Sequence, residues 1–159
     1  MSCTRVRAHA NAPRPLVYSA LLDVDDVQKW MVPDGMESHI HRFEPFEGGT
    51  FRISLTYHVP DESGKTTSDT DTYHGRFTKI VENQLVEQVV EFETSNPGMQ
   101  GQMTIIYSLS QKDGGTVIEA VHKDLPPALS PSDNEAGWKI SLGKLVALVE
   151  GRCHADSVR

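Results

Sequence analysis

Residues 130–151 read SPSDNEAGWKISLGKLVALVEG, and this stretch decides the fold. Ser130, Pro131 and Asp133 combine a capping hydroxyl, a first-turn proline and an acid three residues on, which is a variant of the capping box. Trp138, Leu142, Leu145, Val146 and Val149 then fall on one stripe, with Lys139 and Lys144 off it. Gly151 reads as a stop, so residues 152–159 are expected to form a frayed tail behind a domain spanning 1–151.

Upstream, the periodicity is different. Phe51, Ile53, Leu55 and Tyr57 alternate with Arg52, Ser54, Thr56 and His58, as on a strand with one buried face. Further strands are expected near 36–44, 72–81, 85–94, 102–110 and 115–123. They are punctuated by Glu47-Gly48-Gly49, Glu82-Asn83, Asn96-Pro97-Gly98 and Asp113-Gly114-Gly115. Residues 60–71, containing Ser63-Gly64-Lys65, read as a polar loop. The alternating segment from Thr4 to Ala10 predicts a strand ahead of these, followed by two short helices carrying Leu16, Val17, Ala20 and Leu21, then Val24, Val27, Trp30 and Met31. A sheet with one apolar face needs a cover, and only the C-terminal helix is long enough to provide it. The reading is therefore α+β: a curved antiparallel sheet of six to seven strands around one long helix, the helix-grip arrangement.

Composition narrows the function classes. The chain has 159 residues, 38% hydrophobic and 23% charged, which suits a single folded domain rather than a disordered one. Fifteen basic against 22 acidic residues give a formal charge of −7, which would repel a phosphate backbone, so nucleic acid is not an expected partner. No run of 18 apolar residues predicts a membrane span, and the N-terminus lacks the apolar core of a signal peptide. Cys3 and Cys153 form no metal or CxxC spacing, so a reducing, cytoplasmic setting is expected.

Several residues carry a resemblance to a known family. Trp30-Met31-Val32-Pro33-Asp34-Gly35 resembles the Trp-Trp-Gly-Pro-Glu-Gly segment of homologues of the activator of heat-shock-protein-90 ATPase, within the START-like superfamily. Gly48-Gly49 ahead of Phe51, Gly75 before Phe77 and Ile80-Val81, Gly114-Gly115-Thr116 with His122, and Gly137-Trp138 match in order. Met31 and Val32 depart from the pattern at the second tryptophan and the glycine. The resemblance spans about residues 4–150 and implies a hydrophobic cavity between sheet and long helix. It implies no single activity, because the scaffold hosts binders, cyclases and chaperone activators.

The alternation names the concave face. Phe51, Ile53, Leu55, Tyr57, Phe77, Val86, Gln88, Val90, Phe92, Met103, Ile105, Tyr107, Leu109, Ile118, Ala120 and His122 point inward toward Trp30, Trp138, Leu142 and Leu145. Most of these residue types would serve equally well as solid core. Gln88, Tyr107 and His122 are the polar members. They could anchor the polar end of a ligand, or bond one another or an ordered water. His39-x-His41 has the i, i+2 spacing of two metal ligands on a strand, yet Ser38 and Arg42 beside it suit a solvated face and no third ligand is evident. No nucleophile elbow, phosphate loop or cofactor fingerprint occurs.

The leading functional expectation is binding of a small hydrophobic or amphipathic molecule. A co-chaperone-like protein-binding module, favoured if Met31, Val32 and Met36 form an exposed apolar patch, and an enzyme using His122 as acid or base are the alternatives. The strands near 4–10 and 36–44 could leave sheet edges free for homodimer pairing.

Overall fold

Alternating side chains along the strands set the architecture of the computed structural model, which describes residues 3–58 and 70–157, with side chains as far as Cys153. In chain order the elements are β1 (Cys3–Ala10), α1 (Arg14–Leu21), α2 (Val24–Trp30), β2 (Met36–Phe43), β3 (Thr50–Tyr57), β4 (Thr70–Val81), β5 (Leu85–Phe92), β6 (Met103–Lys112), β7 (Gly115–Lys123) and α3 (Pro131–Ser157). A single 3-10 turn, Pro97–Met99, lies between β5 and β6. The strands form one antiparallel sheet in the order β1-β7-β6-β5-β4-β3-β2, so β1 and β2 are its two edges.

Local chemistry explains the turns. β6 and β7 are joined by Asp113-Gly114, both at positive φ (51° and 75°), between the paired Lys112 and Gly115. Two left-handed residues in a two-residue loop match the twist of the strands they connect. Gly75 on β4 has a different role. A Cβ there would come within 2.7 Å of Phe51 Cζ and 2.3 Å of the Val89 carbonyl oxygen, so the absence of a side chain lets the Phe51 ring cross the sheet.

The strand registers carry one row of side chains to the concave face. Leu55 pairs with Asp71, Ile53 with Tyr73, Phe77 with Gln88, Gln88 with Ile105, and Ile105 with His122. Two boundaries differ from the sequence reading. β4 begins at Thr70, so Thr70 and Asp71 belong to a strand; residues 60–69 of the expected loop lie outside the described residues. The last helix runs past Gly151 to Ser157. Ser130 Oγ accepts the Asp133 N–H at 3.3 Å at its start, as a capping hydroxyl should.

Polar clamps hold α3 over the sheet. Lys144 Nζ donates to the Val32 carbonyl at 2.5 Å and pairs with Asp34 at 3.0 Å. Arg152, one residue beyond the expected stop, makes a two-pronged contact with Asp26 of α2, at 2.7 and 2.5 Å. Asp26 is buried while Arg152 is partly solvated. Removing the guanidinium leaves a buried carboxylate without its cation. Arg152→Ala is expected to cost about 1–3 kcal/mol, between the values for exposed and fully buried pairs. Chemical denaturation checks this; an unchanged midpoint would mean that solvent replaces the arginine.

The core lies between sheet and helices, built from Val6, Phe51, Ile53, Phe77, Val86, Tyr107, Ile118, Ala120, Leu142, Leu145 and Val149, with Val17, Leu21, Val27 and Trp30 closing one side. No helix among the described residues is long and apolar enough to cross a membrane. Cys3 is exposed, Cys153 is partly buried, and both are free thiols.

Candidate functional site: a cavity between the sheet and the last helix

A cavity of about 260 Å³ opens where the first turns of α3 part from the middle strands. That volume lies at the lower edge of the roughly 300–1,000 Å³ usual for small-molecule sites. Its sheet wall is Leu55 of β3, Asp71 and Tyr73 of β4, Gln88, Val90 and Phe92 of β5, and Met103 and Ile105 of β6. The helix contributes Asp133, Asn134, Gly137, Trp138 and Ser141, while Met31, Pro33 and Leu129 complete the rim.

Seven of the expected site residues therefore meet in this wall: Leu55, Gln88, Val90, Phe92, Met103, Ile105 and Trp138. Others point inward as expected but pack as solid core: Phe51, Ile53, Phe77, Tyr107, Ile118, Ala120, Leu142 and Leu145 are all buried away from the cavity. Trp30 is 1% exposed, and its indole N–H donates to the Ala20 carbonyl at 3.0 Å. Its work is done between α1 and α2. Tyr57, half-buried at the end of β3, lies outside the wall.

The polar members of the inward row behave differently from one another. Gln88 is 4% exposed and lines the cavity. Tyr107 Oη and both ring nitrogens of His122 are buried without partners among the described residues. These three side chains do not bond one another. The Trp138 ring lies against both, with its centroid 4.6 Å from that of His122 and 5.8 Å from that of Tyr107. Burial pushes the His122 pKa down to about 4, so the ring is neutral at pH 7. Burial, with a smaller contribution from Tyr73, pushes the Tyr107 phenol well above its ordinary value. Tyr73 is raised by burial as well, and its hydroxyl donates to Met31 Sδ at 3.4 Å.

The alternation pattern did not name several wall residues. Asp71 and Tyr73 share a face with Gly75 and Phe77 at period two, a signal hidden because Asp71 was read as loop. Asn134 and Ser141 stand four residues before and three after Trp138, on the Trp138 side of the helix. The Thr4 hydroxyl donates to Asn134 Oδ1 at 2.7 Å, fixing that amide from the edge strand.

Outside the cavity, His39 and His41 pack edge to face with centroids 4.5 Å apart on the exposed face of β2, and His41 Nε2 bonds Ser54 Oγ at 2.8 Å. Three potential metal ligands do not converge anywhere among the described residues. Ser38, read as part of that solvated face, instead carries a buried hydroxyl and pairs with the inward-facing Leu55. The apolar patch that would favour a protein-binding surface does not form: Met36 is buried, Val32 is half-buried and Met31 packs at the cavity rim.

A seven-stranded antiparallel sheet gripping a C-terminal helix, with two short helices after the first strand and a cavity beneath the long one, defines a START-like helix-grip domain. The model of the family described as "Activator of Hsp90 ATPase homolog 1-like protein" matches residues 11–150, and the chain belongs to that family. Among solved structures it is similar to a protein from Chromobacterium violaceum, with 25% identity, a TM-score of 0.82, and coverage of 93% of this chain and 96% of that one. It also shares its fold with an AHSA1-like protein from Aeromonas hydrophila, at 19% identity and a TM-score of 0.72, covering 95% and 94%. A protein from Arthrobacter aurescens has the same fold at 13% identity and a TM-score of 0.78, covering 94% and 86%. No curated protein matches the chain.

Proposed function

We propose that this protein binds a small apolar or amphipathic molecule in the cavity between its sheet and α3. The observation that carries the reading is the wall itself: Leu55, Val90, Phe92, Met103, Ile105 and Trp138 give it an apolar surface, into which Gln88, only 4% exposed, brings a polar side chain beside Asp71, Asn134 and Ser141. The apolar wall area supplies affinity, and a few polar groups supply orientation. The enzyme alternative is less well supported. His122 has the neutral ring of a base, but neither nitrogen is held by a carboxylate or any other described group. The co-chaperone-like alternative rests on the family description, and a change in the ATPase rate of a purified chaperone would be its test.

Native mass spectrometry followed by denaturing mass spectrometry tests the binding reading. The expected outcome is a small organic molecule carried in stoichiometric amount and released on unfolding. If the protein purifies empty, added apolar compounds should raise its melting temperature, because a ligand bound only by the native state stabilises it by mass action. An empty protein whose melting point no apolar compound shifts would count against the proposal.

A further inference from the structure

Trp138 has the cavity on one side and two unsatisfied polar rings on the other. It lines the cavity wall, whereas Tyr107 and His122, whose rings it covers, do not reach that wall. Their positions are nevertheless continuous with it. The cross-strand row runs from Gln88 through Ile105 to His122, and the first two members are wall residues. Burying the Tyr107 hydroxyl and both His122 nitrogens without partners costs stability, and no contact among the described residues compensates it. The covering ring is itself only half-buried and borders the cavity, which is the open space it can turn into.

We propose that the Trp138 indole is a movable partition, and that the ligand turns it aside to place an uncharged hydrogen-bonding end (a hydroxyl, phenol or ketone) against Tyr107 and His122. This rests on the cavity-binding reading and names the chemical class the cavity accepts. Neutral imidazole offers one donor and one acceptor, and the phenol offers a donor, which together suit a neutral polar group. Neither charged class fits. A carboxylate would pass Asp71 and Asp133 in the wall and meet no lysine or arginine there. An ammonium would leave those acids behind and arrive beside rings that carry no negative charge.

Four probes on one hydrocarbon frame separate the possibilities by titration calorimetry: naphthalene, 1-naphthol, 1-naphthoate and 1-naphthylmethylammonium. The wild-type protein is expected to bind 1-naphthol roughly tenfold more tightly than the other three, because a site built for a hydrogen-bonding group discriminates against analogues without it. The Tyr107→Phe/His122→Phe double variant should bind 1-naphthol no better than naphthalene. Ser38→Ala, which removes another buried hydroxyl unpartnered among the described residues but one outside the cavity wall, should keep the preference. Equal binding of all four probes by the wild type, or tightest binding of the carboxylate, would overturn the proposal while leaving the cavity a binding site. Retention of the preference by the Tyr107→Phe/His122→Phe double variant would overturn it too, by assigning the polar contact to another wall group. Failure of every probe to bind the wild type and Trp138→Ala would remove the cavity reading itself.

Discussion

Replacing Trp30 with alanine is expected to cost about 3–5 kcal/mol, the range for removing a large aromatic from a packed core. In a chain of this size, that lowers the melting temperature by on the order of 10 °C. Three contributions combine. The ring is fully buried and packs edge-on against Tyr107 at 6.1 Å and Trp138 at 6.4 Å between centroids. The indole N–H satisfies the carbonyl of Ala20, one of the last four residues of α1, where helical geometry provides no partner. The cavity left behind would collapse only partly, because strands on one side and α3 on the other fix its walls. Trp30→Phe separates these contributions: it retains most of the apolar area and loses the hydrogen bond, so a loss of about 1–2 kcal/mol is expected. Equal losses for the two variants in urea denaturation would show that the hydrogen bond, rather than the ring, dominates. A small loss for both would show that the helix pair repacks around the gap.

Stability should fall by roughly 3 kcal/mol between pH 6.5 and 4 on account of His122 alone. The sign follows from burial. The native imidazole has its pKa held near 4, against 6.5 for the free side chain. Above pH 6.5 the ring is neutral in both states and contributes no pH dependence. As the pH drops below 6.5 the unfolded chain takes up a proton that the native protein refuses, so unfolding gains. Below about pH 4 both states are protonated and this contribution levels off. His41, whose pKa is lowered by burial and by His39, adds a smaller slope of the same sign, so the informative quantity is the difference between wild type and His122→Phe. That variant should be flatter from pH 6.5 to 4 and still lose stability in more acid solution. There Glu44 and Glu93, both held near pKa 2, give up the stabilisation they provide above their ordinary 4.5. Glu44 is held chiefly by the Thr50 backbone N–H, and Glu93 chiefly by Arg52. Parallel curves for wild type and variant down to pH 4 would mean that the ring protonates in the native state, with water or a shifted Trp138 stabilising the cation.

The concave face was legible in the sequence wherever two-residue alternation was clean. Phe51 to Tyr57, Val86 to Phe92 and Met103 to Leu109 each put apolar residues at every second position, and a strand offers only two faces. What alternation does not encode is the distance between that face and its cover. Phe77 and Met103 read alike, yet one lies in solid core against Phe43 and Phe51 and the other borders open space. Asp71 was lost for a different reason. Its strand opens Thr-Asp-Thr, and aspartate is a poor strand former, so local composition favoured a loop until the register with Leu55 is seen. The continuation of α3 beyond Gly151 was likewise hidden. Glycine weakens a helix without ending it, and here Arg152 gains a contact with Asp26 only if the helix goes on.

The sheet order has a temporal consequence. Strands β2 to β7 form a meander, each pairing with the one synthesised just before it, so most of the sheet closes through short loops. β1 is the exception. Made first, it pairs only with β7, and the contact between Arg7 and Glu119 joins residues 112 positions apart. A nascent chain that has not yet emitted residues 115–123 has no neighbour to offer its own N-terminal strand, whose backbone donors and acceptors must wait in solvent. The Thr4 hydroxyl waits longer still, since Asn134 arrives with the last helix. Edge strand and covering helix thus meet only once α3 has been made, and completing the sheet falls together with roofing the cavity.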